Sequence, residues 1–437
     1  MLRTTADIRR ENSIAVVRSI HAAGTISRSG LVAATGLSFG TVSSICAGLI
    51  DWGVVVEASR HKTAVGRPTG HLSLDASCGI LVGVDIAETY IHAETFDASL
   101  GNLSAVHAPM TDGQQSPAEI VSQVRRVIDD QLTIHDSVPV LGFGVSVPGV
   151  FDPAAGTSVF APNWNWHDVP LQKMLSDAIP GPIHVNNPLK YLALAELWLD
   201  QARLEQTFVF LNLGTGVGAG IVINGQVLTG RTNSAGEWGH TVLVAGGRPC
   251  RCGSRGCVEA YIGAPGIIRT LQELHPESPY ASETDQTAVI AALCRDAQAG
   301  NSAALDVIDQ TAQYLGEGIA SVINLLNPDV VVIGGWVGSE LGELLLDRAR
   351  PVIGACALDT PARAVELEIR AIERDPVCLG AAASAMEQYL ESVVFAGDMD
   401  TPAVPVAKHS NSRGSRALAR DIEYADGATS SRNPRLS

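Results

Sequence analysis

The 437-residue sequence contains no uninterrupted apolar run long enough to cross a bilayer, and no apolar signal-peptide core follows Met1. A helical membrane protein is therefore not expected, and the cytoplasm is the expected compartment. No internal repeat is visible. The eight cysteines are too few for a disulfide scaffold in a chain this long, and they are unevenly placed. Cys46, Cys78, Cys294, Cys356 and Cys378 stand alone, whereas Cys250, Cys252 and Cys257 cluster, which in a reducing compartment points to metal. An overall excess of positive charge is also missing: the net charge of −16 argues against nucleic acid as a partner of the chain as a whole, because phosphate dominates that affinity. The deficit is not uniform. Residues 1–75 carry eight Lys or Arg against five acids, a net of +3, which leaves −19 for the remainder.

What is present is the composition of a globular protein, with 46% hydrophobic and 17% charged residues and enough length for two or three domains. In the basic first segment, Ile14, Val17 and Ile20 form a helical stripe within Ser13 to Ala23 that Gly24 ends. Ser27 then caps a helix through Ala34, a Gly36-Leu37 turn follows, and Ser38 caps a second helix with Val42, Ile45, Leu49 and Ile50 facing inward. This is the pattern of a helix-turn-helix. Arg28, Ser38, Thr41, Ser43 and Ser44 are its candidate DNA contacts, small polar groups and one cation suited to base edges and phosphates. The run from Val54 to Leu74 reads as two strands around a basic tip, where Arg60, Lys62 and Arg67 would meet the backbone or the minor groove. Together these predict a winged helix-turn-helix over residues 1–75, and the competing reading is a three-helix packing module.

From Cys78 the pattern changes to apolar strands alternating with helices, which predicts an α/β domain. Strands are expected at GILVGVDI, YIHAETFD and VPVLGFGVSV, with a helix from Ser116 to Leu132. A further strand, a bend with glycines at 214, 216, 218 and 220, and a hairpin at Asn224-Gly225 follow. The glycine bend can present N–H groups to a phosphate or can be plain hairpin geometry, and the sequence leaves both open.

The densest chemistry lies in AGEWGHTVLVAGGRPCRCGSRGCVEAY. Nine residues separate His240 from Cys250, one separates Cys250 from Cys252 and four separate Cys252 from Cys257. One imidazole and three thiolates suit a closed tetrahedral Zn²⁺ site of structural type, the competing reading being three buried unligated cysteines. Glu237 and Glu259 flank it as acceptors for the hydroxyls of a polyol, and His240 can ligate through one nitrogen while its other reaches a ligand.

The GRP wing at Gly66 to Pro68, then PNWNWHDVPL, LGTGVGAG, AGEWGH and CRCGSRGCVE in that order, resemble the ROK family of sugar-dependent repressors and sugar kinases over roughly residues 10–390. The resemblance implies a two-lobed, actin-like (ribonuclease H-like) ATPase fold over residues 76–395. One lobe would take 76–187 plus 376–395 and the other 188–375, with a disordered tail over 396–437. It also implies a homodimer or homotetramer, and sugar contacts at Asn163, Asn187, Glu237, His240 and Glu259.

Two departures from the family pattern bear on activity. Where the family binds phosphate through Asp-x-Gly-Gly-Thr, this chain has Asp85-Ile86-Ala87-Glu88-Thr89, with a methyl and a carboxylate in place of the glycines. Where the family places its general base at the start of a helix, HVNNPLKYLALAE aligns Pro188 with the catalytic Asp; shifted by one, Asn187 stands there instead. Neither side chain can accept a proton from a hydroxyl. The expected function is a non-enzymatic, sugar-responsive repressor on palindromic operator DNA; the alternative is a hexose or N-acetylhexosamine kinase with a regulatory head.

Overall fold

The computed structural model describes residues 4–58, 70–110, 115–162, 164–200, 203, 206–370 and 375–396. The chain opens with α1 (Thr5–Ala23), which begins two turns before the apolar stripe because Thr4 and Asp7 close a capping box around its polar first turn. A short strand β1 (Ile26–Ser27) leads to α2 (Arg28–Thr35) and α3 (Phe39–Asp51), capped by Ser27 and Ser38. These two helices are bent by 117° across the turn, which Gly36 makes in the left-handed conformation. Strands β2 (Val55–Ala58) and β3 (His71–Leu74) complete a three-stranded sheet of order β1-β3-β2. The tip between them, with Arg60, Lys62 and Arg67, lies outside the described residues, as do Asn163 and the tail beyond 396.

Next come β4 (Ile80–Ile86), β5 (Tyr90–Asp97), β6 (Asn102–Pro109), α4 (Pro117–Ile134) and β7 (Val140–Ser146). A small sheet of β8 (Val150–Asp152), β9 (Thr157–Ala161) and β10 (Trp166–Val169) precedes α5 (Leu171–Ala178), β11 (Ile183–Asn186) and α6 (Pro188–Leu199). The second half runs β12 (Phe208–Leu213), β13 (Val217–Ile223), β14 (Gln226–Val227), α7 (Glu259–Ile262), α8 (Ala264–Leu274), α9 (Gln286–Gln298) and α10 (Ser302–Leu326). It closes with β15 (Val330–Gly334), α11 (Gly335–Cys356), α12 (Asp359–Ala364), β16 (Glu366–Ile369) and α13 (Pro376–Ala396).

The two large sheets have one topology. The order β6-β5-β4-β7-β11 and the order β14-β13-β12-β15-β16 each consist of an antiparallel three-strand meander extended by two parallel strands. The architecture is therefore duplicated although the sequence shows no repeat, because strand pattern and pairing can recur without residue identity. Between the sheets lie α6 and α13, packed on each other. Glycines let α6 settle on β13: a Cβ at Gly220 would stand 2.4 Å from the Leu189 carbonyl oxygen. Two of the four glycines of the bend thus serve packing.

One buried cluster joins Val16, Val17, Ile20 and Leu31 of the first helices to Leu197 and Trp198 of α6, Met386 and Leu390 of α13, and Phe208 and Phe210 of the second sheet. The amino-terminal unit shares a core with the rest of the chain. At the seam, Glu387 Oε1 accepts from Arg18 Nη2 at 2.5 Å, from Arg18 Nε at 3.1 Å and from Trp198 Nε1 at 2.9 Å. His21 sits edge-on to Trp198 and donates from Nδ1 to the Ser99 carbonyl at 2.9 Å. Among the described residues no single helix is long and apolar enough to cross a membrane.

Candidate functional site

The duplicated sheets face a cleft of about 1310 Å³, and each presents to it the hairpin turn between its first two strands: Ala87 to Thr89 from one, Gly214 to Gly216 from the other. Asn187, Pro188, Glu237, His240 and Glu259 line the same cleft. Four of the five sugar contacts implied by the sequence are thereby brought together.

Asn187 is the N-cap of α6, accepting from Leu189 N at 2.9 Å and donating from Nδ2 to the Gly149 carbonyl at 2.5 Å. Pro188 occupies the first helical position, where a missing N–H costs nothing and the fixed φ favours helix. The position is thus explained by helix initiation, and it carries no carboxylate. Lys190, one turn in and 4% exposed, donates to the Ala235 carbonyl. Burial pulls its amine down, opposed by the nearby Glu237. Burial likewise pushes the Glu237 carboxyl up, against the attraction of His240 and Lys190.

Arg251, which the sequence reading passed over, bridges the cleft. Its Nη1 meets Glu88 Oε1 at 2.8 Å and its Nε meets Glu259 Oε1 at 3.0 Å. A Cβ on Gly216 would stand 2.6 Å from Arg251 Nη2, so the guanidinium lies directly on the glycine turn. This hairpin turn is covered by a cation already paired with two carboxylates. Glu88, one of the two residues that stand in place of the family's glycines, is the partner that holds Arg251 there. The available signal was a basic residue between two clustered cysteines; its partner Glu88 lies 163 positions away.

His240, Cys250, Cys252 and Cys257 offer donor atoms within 4.8 Å of one another. The Cys252 and Cys257 sulfurs are 3.7 Å apart, and Cys250 Sγ lies 3.6 Å from His240 Nδ1. Tetrahedral coordination with ordinary zinc bond lengths would separate two sulfurs by about 3.8 Å and a nitrogen from a sulfur by about 3.5 Å. The donor set is compatible with a tetrahedral metal site, to which His240 would offer Nδ1, leaving Nε2 for the cleft.

The ROK family profile matches residues 81–388. The chain belongs to the ROK family. The xylose repressor of Caldicellulosiruptor bescii is 27% identical over 395 residues, covering 89% of this chain and 98% of the repressor. The glucokinase of Halalkalibacterium halodurans is 35% identical over 307 residues, or 68% of this chain and 92% of the kinase. Among solved structures, a ROK family transcriptional regulator homologous to the Escherichia coli MLC protein superposes with a TM-score of 0.74 at 24% identity, covering 89% of this chain and 98% of the other. The kinase match covers 68% of this chain, whereas the repressor and regulator matches each cover 89% of it and 98% of the other chain.

In this ROK chain the candidate contacts Ser38, Thr41, Ser43 and Ser44 fall at the amino-terminal half of α3, and Arg28 opens α2. Ser38 and Ser44 are exposed, while Thr41 and Ser43 are half-buried. Ser38 Oγ caps the helix by accepting from Thr41 N at 3.1 Å, and Arg28 is paired with Glu57 at 3.0 Å. Phe39, 59% exposed at the first turn of α3, was missed by the sequence reading; as an apolar residue in helical phase with Val42 it reads as core, yet the core ends before it.

Proposed function

We propose that this ROK protein is a sugar-responsive transcriptional repressor of sugar uptake and catabolism genes, acting in the cytoplasm as a homodimer or homotetramer on palindromic operator DNA. The winged helix-turn-helix over 1–75 is its DNA-binding unit. The α3 end with Ser38, Thr41, Ser43 and Ser44 would enter the major groove, with Phe39 available to a thymine methyl, while the wing residues Arg60, Lys62 and Arg67 would meet phosphate. The sugar would be held by Asn163, Asn187, Glu237, His240 and Glu259. Structural zinc on His240, Cys250, Cys252 and Cys257 would fix His240 against the cleft.

The observation that carries this reading is Arg251 on the Gly216 turn, tied to Glu88 and Glu259, in a chain whose base position is Pro188. A kinase needs that turn open for phosphate and a carboxylate at the helix start. Helix α6 supplies the coupling: it runs about 16 Å from Asn187 in the cleft to Trp198 at the seam with the head. A ligand that moved its first turn would act on the Trp198–Glu387–Arg18 contact.

The test is operator binding at moderate salt across a panel of pentoses, hexoses and N-acetylhexosamines. A sequence-specific complex altered by one of them is expected; the absence of any specific complex sinks the proposal. Arg67→Ala should weaken binding and reduce the salt slope by about one unit, and an unchanged slope would remove the wing from the interface. The glucokinase likeness keeps one rival reading, a sugar kinase with a regulatory head. Sugar-dependent ADP release measured over the same panel separates the two, since sustained turnover contradicts a stripped site.

A further inference from the structure

We propose that the chain holds a second metal site, for a divalent ion of the zinc class, formed at the foot of the cleft by the His92 imidazole, the Asp375 carboxylate and the Cys378 thiolate. The donor atoms of these residues lie within 4.8 Å of one another. Their elements meet because Gly83 leaves no side chain under α13: a Cβ there would be 1.9 Å from the Cys378 carbonyl oxygen, so the start of the helix lies on β4 beside its partner strand β5.

The second partners of His92 and Asp375 are arranged as a metal requires, while Cys378 Sγ donates to the His92 carbonyl oxygen at 3.5 Å, a contact that the thiolate would give up on binding an ion. His92 Nε2 meets Glu94 Oε1 at 3.1 Å, and Glu94 Oε2 accepts from Asn102 Nδ2 at 2.5 Å. That leaves Nδ1, a buried ring nitrogen without a hydrogen-bond partner. An imidazole backed by a carboxylate on one nitrogen and bare on the other is the usual arrangement of a ligating histidine. Asp375 is oriented by accepting from Val377 N at 2.9 Å and Cys378 N at 3.3 Å. Asp85, 8% exposed and opposite His92 in the β4–β5 register, adds a further buried carboxyl.

The donor set selects the ion. Mixed nitrogen, oxygen and sulfur ligands suit zinc and its neighbours, whereas calcium and magnesium demand oxygen alone. Three protein donors leave a fourth position for water or a ligand oxygen, and Asp85 and Asp375 line the cleft where it would open. If instead the His92–Glu94 pair is sufficient in itself, Cys378 is an inert buried thiol and no ion binds.

The experiment is metal counting on the full chain, stripped with a chelator, reloaded with excess zinc, desalted and analysed by elemental mass spectrometry. His92→Gln, Asp375→Asn and Cys378→Ala, each checked for folding by circular dichroism, are expected to bind one ion fewer per chain than the wild type. A count unchanged in every folded variant overturns the site. Should all three variants misfold, the wild type decides alone: two ions per chain are expected, and fewer than two under excess zinc overturns the proposal. Cobalt loading gives an independent reading, because the wild-type minus Cys378→Ala difference spectrum should contain thiolate-to-cobalt charge transfer, and a flat difference counts against Cys378 as a ligand.

Discussion

Single residues decide what the cleft can do. Pro188 puts no proton-accepting side chain at the start of α6, and the Arg251 guanidinium lies against the Gly216 turn. Glu259 is held firmly, accepting from Val217 N at 3.0 Å as well as from Arg251. Glu259→Gln keeps the shape and removes the charge. It should weaken binding of the effector sugar by about 10- to 100-fold, the range for a hydrogen bond to a charged group, as read by calorimetry. Unchanged affinity would place the sugar elsewhere in the cleft. Cys257→Ser tests the tetrahedral cluster in the same way: loss of one bound ion and a lowered melting temperature are expected, because a structural ion contributes directly to folding.

At the scale of elements, α6 links cleft and head. Its amino end is set by Asn187 and Pro188, and its carboxyl end carries Trp198, whose ring nitrogen shares Glu387 with Arg18. The Arg18 and Glu387 side chains are 10% and 19% exposed, so removing either partner strands a charge that water barely reaches. Glu387→Ala should cost about 3–5 kcal/mol and visibly lower the unfolding midpoint in urea. Trp198→Phe is the gentler probe, deleting one donor for about 1 kcal/mol. If α6 carries the signal, this variant binds operator normally and responds weakly to sugar; a full response would break the proposed link.

For the whole molecule, the shared core makes head docking part of global stability, and His21 makes that docking sensitive to pH. Burial lowers the His21 imidazole below its ordinary 6.5, outweighing the Ser99 hydrogen bond and the Asp97 charge that raise it. The docked state therefore favours the neutral ring. Stability from this contact is complete above about pH 6.5 and declines as pH falls below it, because the freed ring takes up a proton more readily than the docked one. Thermal melts between pH 8 and pH 5.5 should show the decline in the wild type and a shallower one in His21→Asn. Equal slopes would assign the acid sensitivity to other groups.

The local features were legible in the sequence because they rest on short-range chemistry. Ser27 and Ser38 capped their helices, the Asn224-Gly225 hairpin formed with both residues at positive φ, and His240 and the clustered cysteines converged as their spacing implied. That Pro188, or Asn187 in the register shifted by one, stands where the family keeps its base was an expectation from alignment alone. What the sequence could not reveal depends on distant residues meeting. The duplicated sheets share pairing order and no residue pattern; Arg251 finds Glu88 across 163 positions, and Arg18 finds Glu387 across 369. Capping, turn and ligand-spacing preferences act within a few residues of chain and so are written in its order. An ion pair across a cleft or a helix seated between two sheets exists only once the fold has closed those distances, and in this protein those contacts set what the cleft can hold and how the head is attached.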